Sequence, residues 1–140
     1  MRQYFAALIL LLSPLLAQGQ KTLAGNTVTV SEVVNGNLYV SAGTITINAP
    51  VHGDLVVAGG TVIINDTVTN DIMAIGGTIT INGYTGGDVR SGGGEIFIKK
   101  NIGGDLLIGG GRIHIENGAT INGGLIAGSG DIEMNGIVKG

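Results

Sequence analysis

A repeat of 17 residues is the feature of this sequence that most restricts its fold. Four aspartates follow one another at that interval, each directly before a short aliphatic segment. A second segment, with alternating outward and aliphatic residues, keeps the same interval. The aspartates are Asp54, Asp71, Asp88 and Asp105, and the second segments begin at Thr27, Thr44, Thr61, Thr78, Glu95 and Arg112. Two motifs that share one period indicate a repeat architecture.

A Gly-rich corner between the two segments and a third apolar position complete each unit. The step from Arg112 to Asp131 is 19 residues, and the two extra residues fall in the corner 116–120. An insertion confined to a corner leaves the strands intact, as repeat proteins tolerate. The third position is aliphatic except at Thr85, and its members are Val34, Val51, Val68, Thr85, Ile102, Ile121 and Val138.

The pattern within one unit predicts strands. Alternation sends Leu55 and Val57 to one face and Val56 to the other. A unit of 17 residues is too short for a βαβ unit of roughly 30, and no stretch after residue 19 has a helical period. We therefore predict an all-β protein, a right-handed parallel β-helix with three sides and about seven coils. Its corner glycines serve either a positive φ or a close backbone approach. An antiparallel sandwich is the weaker alternative.

The first 19 residues read as a secretory signal peptide. Arg2 precedes the apolar run 5–16, and Ala17 and Gly19 place small residues before a cleavage site at Gln20. The run is shorter than the roughly 20 residues that span a bilayer. We predict a signal peptide over 1–19, a solenoid domain over 20–140, and export to the periplasm or cell surface. A retained N-terminal anchor is the alternative.

Composition excludes several classes of function. With 12% charged and 4% aromatic residues, the chain lacks the basic patches and stacking rings of a nucleic-acid-binding protein. His52 and His114 are predicted on different faces, and Asp131 and Glu133 point outward without loops that would form a cleft. We therefore expect no catalytic, cofactor-binding or metal site, no small-molecule substrate and no enzymatic activity.

The run from Val51 to Val68 reads Val-x-Gly-Asp-Leu, then Gly-Gly-Thr-Val-x-Ile, then Val. It resembles the bactofilins, polymer-forming bacterial cytoskeletal proteins, and the resemblance extends over about residues 22–140. It implies a right-handed three-sided β-helix whose partner is itself, polymerising end to end without nucleotide or other cofactor. Bactofilins are cytoplasmic, whereas the predicted signal peptide makes this chain an exported relative.

The ends of a solenoid expose unpaired backbone groups and an apolar cross-section. We predict that like ends of two copies stack into filaments or short oligomers, so that the chain is an exported structural protein. A fragment of a longer, membrane-anchored solenoid protein is the alternative. The residues predicted to take part are Leu23, Leu38, Val40, Leu125, Met134 and Val138.

Three outward rows are further candidate surfaces. An apolar row is predicted to be a face for lateral contact or for association with a membrane surface or cell-envelope polymer, as in an adhesion module, and stacking of the side chains without any partner is the alternative. The threonines of the first four coils resemble the ice-binding surface of some β-solenoids, a more distant alternative. The aspartates are predicted to accept corner N–H groups rather than to bind cations. The lateral row consists of Tyr39, Val56, Met73, Leu107 and Ile126, with Arg90 interrupting it.

Overall fold

The computed structural model describes residues 20–140, so the predicted signal peptide lies outside the described residues. Within this range there are nine parallel strands and no helix. Seven long strands form one sheet in the order β1-β2-β3-β4-β5-β6-β8, and β7 and β9 form a second. The strands are β1 Gln20–Val30, β2 Asn37–Ile47, β3 Leu55–Ile64, β4 Ile72–Ile81, β5 Val89–Ile98, β6 Leu106–Ile115, β7 Thr120–Ile121, β8 Leu125–Met134 and β9 Ile137–Val138.

Each long strand pairs in parallel with the next at an offset of one repeat, which confirms the predicted parallel β-solenoid of about seven coils. Leu38 pairs with Leu55, and Leu55 with Ile72. We number the coils 1 to 7 after their long strands, so that β8 belongs to coil 7. Isolated parallel bridges join the third apolar positions from Val34 to Ile121. The antiparallel sandwich is therefore excluded for the described residues.

The two segments predicted as separate strands form one continuous strand in each coil. In β3 the odd-numbered residues Leu55 and Val57 are buried before Gly59 and Gly60. After this glycine pair the even-numbered residues Val62 and Ile64 are buried instead. The strand bends at the glycine pair, yet its ladder to the neighbouring coil continues through Gly59. The corner is a bend within a strand rather than a break between strands.

The corner glycines in the row of Gly110 serve close approach rather than an unusual backbone conformation. Within residues 20–140, Gly36 alone has a positive φ, at 133°. At Gly110, a Cβ atom would lie 2.5 Å from the carbonyl oxygen of Gly93 in the preceding coil. A Cβ atom this close to a carbonyl oxygen would require the backbone to shift, so glycine at position 110 allows coils 5 and 6 to approach closely there.

The core is a column of aliphatic rows that runs the length of the solenoid. The insertion at 116–120 forms a turn that buries Ala119 and leaves the pairing of β6 with β8 undisturbed, as predicted. Two hydroxyls interrupt the column, because Thr85 is fully buried and Ser91 is 8% exposed. Neither Thr85 Oγ1 nor Ser91 Oγ has a hydrogen-bond partner among the described residues. Each therefore costs stability relative to an aliphatic side chain.

Candidate functional site

In coil 7, inward rows of the core are open to solvent. Its strand β8 lies at the edge of the sheet and has a neighbour on one side, β6. Ile132 and Met134 continue the inward rows of Ile113 and Ile115, which are fully buried, yet they are 41% and 40% exposed. Coil 7 therefore shows solvent an apolar cross-section beside an unpaired strand edge.

The six residues predicted for self-association separate into two groups. Leu125 and Val138 are half-buried in coil 7, and Met134 is exposed there. Leu38 and Val40 are buried in coil 2, covered by coils 1 and 3, and Leu23 of coil 1 is 7% exposed. The structure thus brings Leu125, Met134 and Val138 together on one open surface, whereas Leu38 and Val40 are core residues.

The predicted lateral row lies on one outward face, in register from coil 2 to coil 7. Tyr39 and Val56 are half-buried, while Met73, Leu107 and Ile126 are 43%, 46% and 69% exposed. Arg90 lies between Met73 and Leu107 and divides the row. Ile75 is 60% exposed on a neighbouring row of coil 4 and was not predicted from the sequence as a surface residue of interest. Its position two residues after Met73 is the sequence signal that could have revealed it.

The aspartate row is a hydrogen-bonded ladder along one corner. The Oδ1 atom of each aspartate accepts the backbone N–H of the next coil, at 3.0 Å from Asp71, 2.8 Å from Asp88 and 2.7 Å from Asp105. The ladder begins at Asn37 Oδ1 and ends where Asp105 accepts the N–H of Gly124. These contacts confirm the prediction that the aspartates cap corner N–H groups.

A second corner ladder was not noticed in the sequence. The side-chain amide of Asn65 donates to Asn48 Oδ1 at 2.8 Å, and that of Asn82 donates to Asn65 Oδ1 at 2.8 Å. The three asparagines recur at the repeat interval, each directly after a long strand, and this recurrence was the signal that could have revealed them. Both ladders tie successive coils together at their corners and leave the flat faces free.

The threonine face changes character between coils 4 and 5. Thr44, Thr61 and Thr78 are in register, and the same row continues as Glu95, Arg112 and Asp131. Arg112 lies 3.9 Å from Glu95 and 3.7 Å from Asp131 across exposed surface. Exposed pairs of this length contribute little to stability. They do give coils 5 to 7 an ionic face where coils 1 to 4 have a neutral one.

His114 lies at the centre of this ionic face. Its Nε2 is 2.9 Å from Glu95 and its Nδ1 is 3.2 Å from Glu133, so the ring joins coils 5, 6 and 7. The ring also stacks on Phe97, with centroids 4.5 Å apart. The Glu133 hydrogen bond, followed by that of Glu95, raises the pKa of His114, and desolvation opposes them. The sequence placed His114 and Glu133 in one row and Glu95 in a neighbouring row, but it did not indicate that the ring bridges the two carboxylates.

Two further features are absent from residues 20–140. No helix there is long and apolar enough to cross a membrane. No three His, Asp or Glu side chains of that range are placed to hold a metal ion. His52 lies in the turn before β3 and His114 in β6, so the two histidines belong to different parts of their coils.

Comparison of the chain with models of known protein families, with curated proteins and with solved structures found no match.

Proposed function

We propose that this chain is a non-enzymatic, exported structural protein that associates with copies of itself through the end of its solenoid. One observation carries the proposal: Ile132 and Met134, in rows that are buried elsewhere, are 41% and 40% exposed beside the free edge of β8. An apolar surface beside an unpaired strand edge is a template for another chain.

The proposal includes the likeness to bactofilins, as an exported relative that assembles without nucleotide or cofactor. Association of this kind needs no other molecule, because stacking one coil on another supplies both backbone hydrogen bonds and apolar burial. Stacking of coil on coil, by parallel strand pairing, holds the neighbouring coils of residues 20–140 together.

A pair of matched variants tests whether the end of the solenoid is the contact. Ile132→Glu places a carboxylate on the open end, and Met73→Glu places one at similar exposure, 43%, in the middle of the lateral row. We expect Ile132→Glu to weaken self-association at least about tenfold, because the charge would have to be desolvated. Met73→Glu should associate as the wild type does.

Sedimentation velocity over a range of concentrations measures both variants. A wild type that stays monomeric at all concentrations would refute the proposal. Dissociation by Met73→Glu alone would place the contact on the lateral face instead.

Export is tested independently by cell fractionation and mass spectrometry of the N-terminus. We expect a chain that begins at Gln20, recovered outside the cytoplasm. A chain in the cytoplasm that retains residues 1–19 would contradict export.

The lateral row supports a second candidate, a binding module for a cell-envelope polymer or membrane surface. Leu107 and Ile126 are 46% and 69% exposed and adjacent in register, which makes a continuous apolar strip across coils 6 and 7. Retention of the monomer on isolated cell-wall polysaccharide or on lipid vesicles, lost in Leu107→Glu, would favour this function.

A further inference from the structure

Five asparagines of this chain are each followed directly by glycine. Such an asparagine can lose its side-chain amide without an enzyme, because glycine has no side chain to shield its backbone nitrogen and its backbone turns freely. That nitrogen attacks the carbonyl carbon of the asparagine side chain, so the contacts around each pair decide how fast the reaction runs. The pairs are Asn35–Gly36, Asn82–Gly83, Asn117–Gly118, Asn122–Gly123 and Asn135–Gly136.

In two of the pairs a hydrogen bond between coils holds the attacking nitrogen. Gly36 N–H donates to the carbonyl oxygen of His52 at 3.1 Å, and Gly123 N–H donates to that of Gly104 at 2.9 Å. The nitrogen must lose its proton and turn toward the asparagine side chain, so these bonds have to open first. The reaction rate at both pairs therefore falls in proportion to the population of a locally opened state.

Two other pairs are held by the groups around the glycine. The side-chain amide of Asn82 donates to Asn65 Oδ1 at 2.8 Å, and Gly83 is buried. On either side of Gly136, the backbone N–H groups of the neighbouring residues donate to carbonyl oxygens of coil 6, at 2.8 Å and 3.0 Å. Both pairs are thus fixed to the preceding coil and also need local opening before they react.

Asn117 and Gly118 differ from the other four pairs. They lie in the corner 116–120 that holds the two extra residues of the repeat, and both are exposed. The corner closes on itself as a β-turn, with Ala119 N–H donating to the carbonyl oxygen of Glu116 at 2.9 Å. Neither the Asn117 side chain nor the Gly118 N–H forms a hydrogen bond with any other of residues 20–140. This pair can react without separation of two coils.

We propose that Asn117 is a site of spontaneous deamidation, the one that reacts fastest among the five in the folded chain. The deprotonated backbone nitrogen of Gly118 forms a bond with Cγ of Asn117, the bond from Cγ to the side-chain nitrogen breaks, and ammonia leaves. Water then opens the resulting five-membered cyclic imide. Cleavage between the nitrogen and Cγ gives aspartate, and cleavage between the nitrogen and the backbone carbonyl carbon gives isoaspartate.

Both products replace a neutral amide by a carboxylate next to Glu116, so the chain gains one negative charge at this corner. Isoaspartate also lengthens the backbone of the turn by one methylene carbon. The turn lies outside the pairing of β6 with β8 and outside the aspartate ladder, so the change is confined to the corner. The reaction requires neither self-association nor export and goes beyond the proposed function.

Tandem mass spectrometry of the full chain, incubated for increasing times at mildly alkaline pH, measures each pair separately. Deamidation raises the mass of a peptide, and fragmentation assigns the increase to one asparagine. In the folded chain we expect Asn117 to convert at least about tenfold faster than any of the other four. In denaturant the five rates should differ by less than about threefold, because the contacts that distinguish the pairs are lost.

Two variants complete the test. Asn117→Gln should remove the early mass increase of the folded chain, because its longer side chain would have to close a six-membered ring. Asn35→Gln, which changes an exposed asparagine whose glycine is hydrogen-bonded, should keep the increase. A folded chain in which Asn117 converts no faster than the other four pairs would overturn the inference. An early mass increase that persists in Asn117→Gln would overturn it as well.

Discussion

Coil 4 and coil 7 carry the same pattern of inward residues but bury them to different degrees. Ile79 of coil 4 and Ile132 of coil 7 belong to one row, yet Ile79 is fully buried and Ile132 is 41% exposed. Coil 4 has coils 3 and 5 on its two sides, and coil 7 has coil 6 alone. Within coils 2 to 7, inward residues are buried where a coil lies on both sides and more exposed where one side is open, so their burial depends on the neighbouring coils.

This dependence means that stability is distributed as a sum of nearest-neighbour contacts. An inner coil takes part in two such contacts, and coil 7 takes part in one within the chain. The same substitution should therefore cost more in an inner coil than in coil 7. A second copy stacked on coil 7 would also supply the second coil–coil contact that each inner coil already has.

The largest expected difference concerns the aliphatic row itself. Ile79→Ala should lower the free energy of unfolding by about 2–5 kcal/mol, because it leaves a cavity with coils on both sides. Ile132→Ala should cost roughly 1 kcal/mol in the monomer, because part of the side chain is already in water. Denaturant unfolding of both variants at low protein concentration measures the two values. Equal losses would contradict the nearest-neighbour description.

A smaller difference is expected at the glycine corners. A Cβ atom at Gly110 would lie 2.5 Å from the carbonyl oxygen of Gly93, whereas one at Gly128 would meet nothing within 4 Å. Gly110→Ala should therefore cost about 1–3 kcal/mol and Gly128→Ala less than about 0.5 kcal/mol. In the row of Gly110, side chains occur naturally at Ala42 of coil 2 and Ser129 of coil 7. Thermal unfolding compares the two variants, and a tolerant Gly110 would show that the coil spacing adjusts.

The smallest expected effect is the pH dependence of the contact between coils 6 and 7. Glu133 and Glu95 flank His114, Arg112 lies across from Glu95, and Phe97 stacks on the ring. Since the folded-state pKa of His114 is raised, protonation stabilises the folded chain. This stabilisation is complete below the ordinary pKa of 6.5 and is lost as the pH rises through the higher folded value.

The measurement is the unfolding midpoint between about pH 6 and 9 for the wild type and His114→Gln. We expect the advantage of the wild type to shrink as the pH rises. His52→Gln, which removes the other histidine, should keep the wild-type pH dependence. An advantage of the wild type over His114→Gln that grows with pH would show that the carboxylates do not act on His114 as the distances indicate.

Much of the fold could be predicted from the sequence because the repeat is simple. The interval between Asp54 and Asp71 equals the offset at which Leu55 pairs with Ile72, so the period of the sequence is the register of the sheet. The insertion at 116–120 could also be placed, since the residues on either side keep their rows. The capping role of the aspartates followed from their position at a corner.

Other features depended on interatomic distances, which the sequence repeat does not reveal. The glycine pair could mark a break between strands or a bend within one, and only the continuous ladder through Gly59 decides between them. In the bridge from Glu95 through His114 to Glu133, each carboxylate is 19 residues from the histidine in the sequence. Whether the bridge forms depends on how far the side chains extend. Leu38 and Val40 read as end residues in the sequence, but coil 1 covers them.

The sequence by itself determined which side chains face inward and which coil lies on which, because alternation along a strand and a constant period leave one consistent stacking. Tertiary structure decided how far each coil is buried, since burial comes from the coils on either side rather than from the residue. Ile79 and Ile132 are the same amino acid in the same row, and only their neighbours make one a core residue and the other an exposed surface.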